Sequence, residues 1–380
     1  METVKGFKEF SGEEAMKRKK IKEALDRYFS LYGYGPAETP IVEFEEFVKG
    51  DNSNDEAVSD TFKLQDRGKR KLALRYEFTF QLKRLARNKK LPYKRYQIGE
   101  VFRDEPISEN RFRQFTQCDV DIIGSSIKDE AEILTLTFNV LKELGIKSEI
   151  CINNRKLLNE ILEGIRDKEG VIREIDKLDK LSESEVRKNL KKYKAEKILS
   201  IFKKPESYFK KYGAYSEIKE LKKYCNYYGV KVKFQPSLAR GLSYYNGSIF
   251  EVKTSKMKET ICAGGSYLVN NFQSTGISLG LERLSKLAEV DVSGDSVLVV
   301  ALVENKEVFD IVQKLRMEGV NCSILFGKPS KALQYANSKN ISYALFVGEQ
   351  ELKSKKFKLK DLKSGKEANL GLKELIKKIK

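Results

Sequence analysis

The alternation of apolar and polar residues predicts an antiparallel sheet in the first third of the chain. Between residues 61 and 124, short strands of this kind are expected at TFKLQD, LALRY, RYQIGEVFR and FTQCDVDIIG. Successive side chains of a strand point to opposite faces, so one face of this sheet should be covered by a core. Residues 13–32 and 129–144 instead place apolar side chains at helical spacing and are followed by a glycine. They predict helices that lie on that core.

The pattern becomes helical from about residue 154 to 224, where Lys- and Glu-rich stretches such as REIDKLDKLSESEVRKNLKKY replace the strands. This change predicts a helical insertion. Strand character returns at KVKFQPSLARGLSYYNGSIFEVKT and at GISLGLERL, and the second of these continues into another helix. The insertion should therefore interrupt one sheet-forming domain.

A second domain is expected near the C-terminus. The polar break VDVSGDS, with Gly294 near its centre, predicts a linker, as the polar stretch from Asp51 to Asp60 predicts a loop. Beyond the break, SVLVVAL, CSILF and YALFVG are continuous apolar runs separated by helical patterns. Such runs are typical of parallel strands in a small α/β domain. We predict domains at 1–292 and 295–380.

The net charge of the chain indicates which class of partner it binds. Lys and Arg number 73 against 55 Asp and Glu, a net charge of +18, which suits a polyanion, with nucleic acid ahead of a membrane surface. The chain contains no run of eighteen apolar residues and no signal-peptide pattern at its start, so we expect no membrane span and a cytoplasmic location.

The spacing of the cysteines and the lack of histidine exclude several kinds of catalytic and metal site. The five cysteines are far apart without a CxxC pair, and there is no histidine. We therefore expect neither a disulfide framework nor a metal site made by His or Cys. Imidazole-based acid–base and nucleophilic catalysis are excluded as well.

Arginines recur at predicted strand ends and strand–helix turns. They are Arg103, Arg111, Arg113, Arg240 and Arg283. A planar guanidinium at such a place suits two-point binding of phosphate oxygens. The chain has no GxxxxGK[ST] and no GxGxxG loop, so a nucleotide would be held by arginines rather than by a glycine cradle. A solvated surface loop remains the alternative for the charged stretch FRDEPISENRFRQF.

These stretches resemble known motifs. FRDE with RFRQF resembles motif 2 of class II aminoacyl-tRNA synthetases, GISLGLERL resembles motif 3, and YGPAETPIVE resembles motif 1. LARGLSYYNGSIFE resembles the signature of the histidyl-tRNA synthetases, although Ser243 stands where that family usually has Asp. LRYEFT, INNRKLL and KALQYANSKNISYALFVGEQEL also resemble that family.

The resemblance implies an α+β fold. A class II catalytic domain with an antiparallel sheet flanked by helices would carry the helical insertion, and a C-terminal α/β domain would bind the anticodon. The implied activity joins L-histidine to ATP as histidyl-adenylate, releases pyrophosphate, and transfers histidine to the 3′ end of tRNA(His). ATP as substrate, Mg2+ and a homodimer are implied too. The alternative is a non-catalytic, synthetase-like regulatory or RNA-binding subunit.

The resemblance also implies residue roles at the nucleotide. Arg103, Arg240 and Arg283 would be catalytic. Arg103 would hold the α-phosphate of ATP, and Arg111 and Arg283 the γ-phosphate. Glu105 would hold adenine or order its loop, while Phe115 would stack on adenine. Arg240 would stabilise the charge that develops when the histidine carboxylate attacks the α-phosphate.

The other implied roles concern histidine. Asp121, where the family usually has Glu, and Tyr245 would meet the two imidazole nitrogens. The remaining histidine-binding residues would be Glu77, Thr79, Gln117, Arg240 and Tyr244, the first three at the α-amino group. Spacing alone allows blander interpretations, in which Tyr244 and Tyr245 pack the sheet and Asp121 caps a strand.

The last thirty residues contain eleven lysines and four acidic residues. Such an excess predicts phosphate contacts with tRNA. A solvated lysine face is the alternative.

Overall fold

The structure is a computed structural model that describes residues 2–49, 60–241, 243–292 and 296–379. Most of the predicted Asp51–Asp60 loop and the predicted linker residue Gly294 lie outside the described residues. The chain divides into two compact units, Met1–Val290 and Asp291–Lys380. The domain boundary predicted between residues 292 and 295 stays a prediction, because residues 293–295 are not described.

The first unit is built on an eight-stranded sheet with the order β1-β5-β6-β11-β10-β9-β7-β8. Its pairs are antiparallel except β1–β5 and β7–β8. Its strands are β1 (Gly35–Pro36), β5 (Tyr93–Phe102), β6 (Gln114–Ile123), β7 (Glu149–Asn154), β8 (Val232–Phe234), β9 (Tyr245–Thr254), β10 (Met257–Val269) and β11 (Phe272–Gly280). A separate antiparallel sheet contains β2 (Val42–Phe44), β3 (Lys63–Gln65) and β4 (Lys71–Leu74).

Helices cover one face of the large sheet, while the other face lines a pocket. Before β7, the described residues form the helices α1 (Gly12–Leu31), α2 (Glu45–Lys49), α3 (Leu82–Leu85) and α4 (Ile127–Glu143). Helices α1 and α4 bury one side each in the main core, for example Leu25 and Leu134. A capping box between Ser126 and Asp129 starts α4, since these side chains satisfy backbone groups that the first turn leaves unpaired.

The chain between β7 and β8 is helical. It contains α5 (Arg155–Ile161), α6 (Lys168–Asp176), α7 (Glu183–Leu190), α8 (Ile198–Ile201), α9 (Glu206–Phe209) and α10 (Tyr215–Tyr227). Asn154, Asp167 and Ser182 cap the starts of α5, α6 and α7 with their side chains. Apolar residues of α6 and α7 share a core cluster with Ile249 of β9, so this segment packs directly against the sheet. Helix α11 (Leu281–Leu287) follows β11.

The second unit has a five-stranded sheet with the order β13-β12-β14-β15-β16. The strands β12 (Ser296–Ala301), β13 (Asn321–Phe326) and β14 (Tyr343–Val347) are parallel, whereas β15 (Lys356–Asp361) and β16 (Glu367–Gly371) are antiparallel additions. Its helices are α12 (Lys306–Met317), α13 (Pro329–Ser338), α14 (Glu349–Ser354) and α15 (Leu372–Ile379).

These two architectures confirm the α+β prediction. The three parallel strands lie where continuous apolar runs predicted them, but the β15–β16 pair was not predicted. Its lysines obscure the alternation of buried Phe357 and Leu359. Within the described ranges, no helix combines the length and the apolar character that a membrane span requires.

Candidate active site

Strand β6 supplies the floor of the pocket. Its pocket face carries Phe115, Gln117, Asp119 and Asp121. Its opposite face enters the helix-covered core through Cys118, Val120 and Ile122. The period of two thus separates polar from apolar residues, which is why a strand so rich in polar side chains can lie in the middle of a sheet.

The arginines gather at one end of this pocket. Arg103 lies 4.2 Å from the ring centre of Tyr76 and 5.0 Å from that of Phe115, and it donates to the Gln117 amide oxygen at 3.0 Å. Arg111 pairs with Glu105 at 2.9 Å. The guanidiniums are therefore placed by rings and by neighbouring acceptors before any ligand binds.

The pKa of Arg283 shows how neighbouring charges act at this end of the pocket. Its pKa is lowered first by burial and then by the positive charges of Arg111, Arg103 and Arg240, against the opposing effect of Glu259. It lies in the first turn of α11 and donates to the Thr260 carbonyl at 2.5 Å. Arginines that repel one another in a partly buried site favour a polyanionic ligand such as a triphosphate.

An ion pair with a neighbouring strand holds the guanidinium of Arg240. Its guanidinium pairs with buried Glu251 of β9 at 2.7 Å, and Glu251 also accepts from the Thr260 hydroxyl at 3.0 Å. Burial acts to lower the pKa of Arg240, but the negative charges of Glu251 and Asp176 oppose it and the pKa is raised. Arg240 thus stays charged.

Carboxylates gather at the other end of the pocket. Burial, partly opposed by Arg103, raises the pKa of Glu77 to about 7. Burial and the charge of Asp121 raise the pKa of Asp119 to about 6. Both Asp119 oxygens accept from the Gln117 amide at 3.1 Å. Buried carboxyls whose charge is disfavoured gain most from a bound cation such as an ammonium group.

Asp121 is already engaged from two sides. Arg95, fully buried on β5, pairs with it at 2.7 Å, and the Tyr267 hydroxyl donates to it. Gly276 on β11 makes room for this arrangement, because a side-chain Cβ there would overlap an Asp121 oxygen and lie 2.8 Å from the Tyr267 hydroxyl. Asp121 lies within β6 and is paired in register with Arg95 and Gly276, so it does not cap the strand.

Three tyrosines form the wall beside the carboxylates. The ring centres of Tyr244 and Tyr245 are 4.7 Å apart, and those of Tyr244 and Tyr267 are 5.6 Å apart. The Tyr244 hydroxyl lies 3.5 Å from a Glu77 oxygen. Each ring packs against another, yet Tyr244, Tyr245 and Tyr267 all line the pocket.

The structure brings all the sequence-predicted site residues to this one pocket. Its lining includes Glu77, Thr79, Arg103, Glu105, Arg111, Phe115, Gln117, Asp121, Arg240, Tyr244, Tyr245 and Arg283. Arg113, from the same charged stretch, instead pairs with Asp104 at 3.2 Å. Their proximity does not by itself test the ligand roles.

Asp119 and Tyr267 line the pocket and Arg95 pairs with Asp121, but none of the three was a predicted site residue. The period of β6 could have indicated Asp119, which lies between Gln117 and Asp121 on one strand face. Arg95 faces Asp121 through the β5–β6 register, and Tyr267 faces Tyr245 through the β9–β10 register. Neither register is apparent from local spacing.

Comparison with known proteins identifies the family. A model described as "Histidyl-tRNA synthetase" matches residues 6–284, and one described as "Anticodon binding domain" matches residues 296–380. "Histidine--tRNA ligase 1" of Bacillus cereus ATCC 10987 is 35% identical over 420 residues, covering 99% of this chain and 96% of that protein. The chain belongs to the histidyl-tRNA synthetase family.

Other relatives agree. "Histidine--tRNA ligase" of Wolinella succinogenes is 33% identical, over 96% of this chain and 94% of its own length. The crystal structure of histidyl-tRNA synthetase from Nostoc sp. PCC 7120 matches with a TM-score of 0.84 and 26% identity, covering 100% of this chain and 98% of that one. Family membership confirms the predicted synthetase class and gives no support to the non-catalytic alternative.

Proposed function

We propose that this member of the family works as an ATP-dependent histidine–tRNA ligase through the side chains that line the pocket. The observation that carries the proposal is the separation of charge within it. Arginines that lower the pKa of Arg283 lie at one end, and buried carboxyls with raised pKa values lie at the other. A triphosphate and an amino acid with a free ammonium group match those two ends.

At the phosphate end, Arg103 would bind the α-phosphate, and Arg111 and Arg283 the γ-phosphate. Phe115 would stack on adenine while Glu105 orders Arg111. The carboxylate of histidine then attacks the α-phosphorus, a new oxygen–phosphorus bond forms, and the bond to pyrophosphate breaks. The attacking group is already an anion, so the step needs no histidine base. Arg240 stabilises the charge that develops on the α-phosphate.

At the other end, Glu77, Thr79 and Gln117 would bind the α-amino group. Asp121 and Tyr245 would meet the two imidazole nitrogens, with Tyr244 forming the adjoining wall. A carboxylate has about four lone-pair sites, so Asp121 can accept from an imidazole N–H while it keeps Arg95 and Tyr267. A site that pairs both ring nitrogens rejects analogues that lack them.

Mg2+ would enter with ATP. Among the described residues, no group of three or more Asp, Glu or Cys side chains is placed to hold a metal. With nucleotides, Mg2+ is bound mostly by phosphate oxygens and water. Glu105 and Glu282 also line the pocket, where they pair with Arg111 and Arg18.

A homodimer is supported by an exposed apolar strip in the motif 1 region. Ile41, Val42, Phe44 and Leu64 are each 41–50% exposed, and they lie on or beside the small three-stranded sheet. A second copy of the chain would cover such a strip. We further propose a cytoplasmic location, where the five free cysteines would stay reduced.

The second unit would bind the anticodon stem-loop of tRNA(His). Its match to an anticodon-binding family supports this role, and its lysines would contribute phosphate contacts. Lys358 and Lys360 already pair with Glu367, so they contribute less than the raw lysine count suggests.

Histidine-dependent exchange of pyrophosphate into ATP tests the proposal in the full-length protein. We expect exchange with L-histidine and little with amino acids that lack an imidazole. Binding of tRNA(His) without any exchange would support the non-catalytic alternative instead.

A further inference from the structure

The loop that carries Arg240 is anchored by two side chains from the end of β7 and the start of α5. The Asn153 amide donates to the carbonyls of Pro236 at 2.9 Å and Leu238 at 2.8 Å. One amino group of Arg155 donates to the carbonyl of Arg240 at 3.2 Å. Both anchoring side chains are buried. These hydrogen bonds therefore hold the main chain at Arg240 in place.

Arg155 also reaches into the helical segment. Its second amino group pairs with Glu169 in the first turn of α6. Arg155 is 3% exposed, and a buried guanidinium needs such partners because an unpaired one would be strongly destabilising. The position of Arg155, and with it the carbonyl of Arg240, thus depends on the start of α6.

The last residue of the same helix lies on the other side of the loop. An Asp176 oxygen is 3.1 Å from where a Cβ on Gly241 would be. Its negative charge acts on Arg240 together with that of Glu251. Carboxylates from two elements therefore border this loop, Glu251 of β9 at the guanidinium and Asp176 of α6 at Gly241.

We propose that α6 is a positioning element for Arg240, with Arg155 and Glu169 setting the main chain and Asp176 bordering the loop at Gly241. This inference rests on the proposed role of Arg240. Transition-state stabilisation requires a charge that is already in place when the reaction occurs. Glu251 pairs with the guanidinium, whereas the contacts from α6 restrict the main chain that carries it. Asp176 is then a positioning residue and does not touch substrate.

The test is histidine-dependent pyrophosphate exchange by full-length Asp176→Asn. We expect kcat to fall about tenfold or more, the scale on which small misplacement of a reacting group acts. The KM values for ATP and histidine should stay within about twofold, because substrate-binding groups are untouched. Glu174→Gln is the matched control. It also removes one carboxylate from α6, but Glu174 pairs with Lys177 and accepts from the Asn189 amide, so its kcat should change little.

Glu169→Gln is a second variant that should fold, since the Glu169 side chain is 48% exposed. It should lower kcat in the same direction by loosening Arg155. Thermal melting checks that each variant is folded.

A double-mutant cycle separates positioning from general stability. If Asp176 acts through Arg240, Asp176→Asn should cause no further loss in an Arg240→Ala background. Equal fractional losses in both backgrounds would overturn the inference. So would normal kcat in folded Asp176→Asn and Glu169→Gln while Arg240→Ala is impaired. If Arg240→Ala itself exchanges normally, it is the proposed role of Arg240 that fails.

Discussion

The two ends of the pocket differ in the sign and in the exposure of their charged side chains. Arg103 and Arg111 at the phosphate end are 26% and 41% exposed, and Glu105 partly neutralises them. Glu77 and Asp119 at the amino-acid end are each 4% exposed, and burial raises their pKa values. Water can solvate Arg103 and Arg111 before ATP arrives, whereas the carboxylates are buried. Under the proposed function, the phosphate end would supply rate and the amino-acid end would supply selectivity.

The largest expected effect tests the phosphate end. Arg240→Ala should lower the rate of histidine activation by about a hundredfold or more, the scale of losing one preorganised donor. Arg240→Lys should restore little, because an ammonium cannot reproduce the planar fork. Arg113→Ala is the control, since Arg113 comes from the charged stretch but pairs with Asp104 instead. Comparable losses in Arg113→Ala and Arg240→Ala would remove the special role of Arg240.

A smaller effect should separate the two ends. Gly276→Ala would crowd Asp121 and Tyr267, and overpacking of this kind costs about 1–3 kcal/mol. We expect the KM for histidine to rise about tenfold while the KM for ATP is nearly unchanged. Gly35→Ala, on strand β1 of the same sheet with only an ordinary contact at 3.8 Å, should be neutral. An equal rise in both KM values would contradict the division of the pocket.

Tyr245→Phe is a further test of the division of the pocket into a phosphate end and an amino-acid end. It removes one hydroxyl proposed to meet the imidazole, so the KM for histidine should rise about fivefold, as for a lost hydrogen bond of about 1 kcal/mol. The KM for ATP should hold. Asp121→Asn is less clean, because it would also leave buried Arg95 without its charged partner and lower the stability. A Tyr245→Phe enzyme with normal histidine KM would assign this ring to packing.

The smallest expected effect is a pH dependence at the amino-acid end. Glu77 must be ionised to bind ammonium, and its pKa is raised to about 7. The KM for histidine should therefore rise a few fold as pH falls from 8 to 6, whereas the KM for ATP should change less. Glu77→Gln should have a higher KM and lose this slope, and an unchanged slope in that variant would assign the titration to another group.

The free energy of unfolding should change with pH in the opposite direction to the affinity for histidine. The folded state holds a proton on Glu77 between its unfolded value near 4.5 and its folded value of about 7. The unfolded state binds fewer protons there, so the free energy of unfolding should fall as pH rises through this window. Denaturant unfolding of wild type and Glu77→Gln between pH 5 and 8 measures the difference, and saturating histidine should reduce it.

Local patterns were sufficient for the elements of the site. Alternation in FTQCDVDIIG predicted a strand, and the polar residues two apart along it lie on one face of β6. Four of the five arginines at predicted strand ends converge on one pocket, because strand ends of one sheet lie near each other, whereas Arg113 pairs with Asp104. The lysine-rich β15–β16 pair was missed because charge obscured its short apolar alternation.

What the sequence alone determined is therefore the local part: strand and helix periods, the motif residues and the charge available to bind phosphate. The tertiary structure decided which distant residues meet. Arg95 opposes Asp121, and Tyr267 opposes Tyr245, only because two strand pairs adopt one register. Asp176 reaches the Arg240 loop only because a helix between β7 and β8 packs against it. Register and packing depend on all the side chains of a sheet and its core together, so spacing along the chain cannot reveal them.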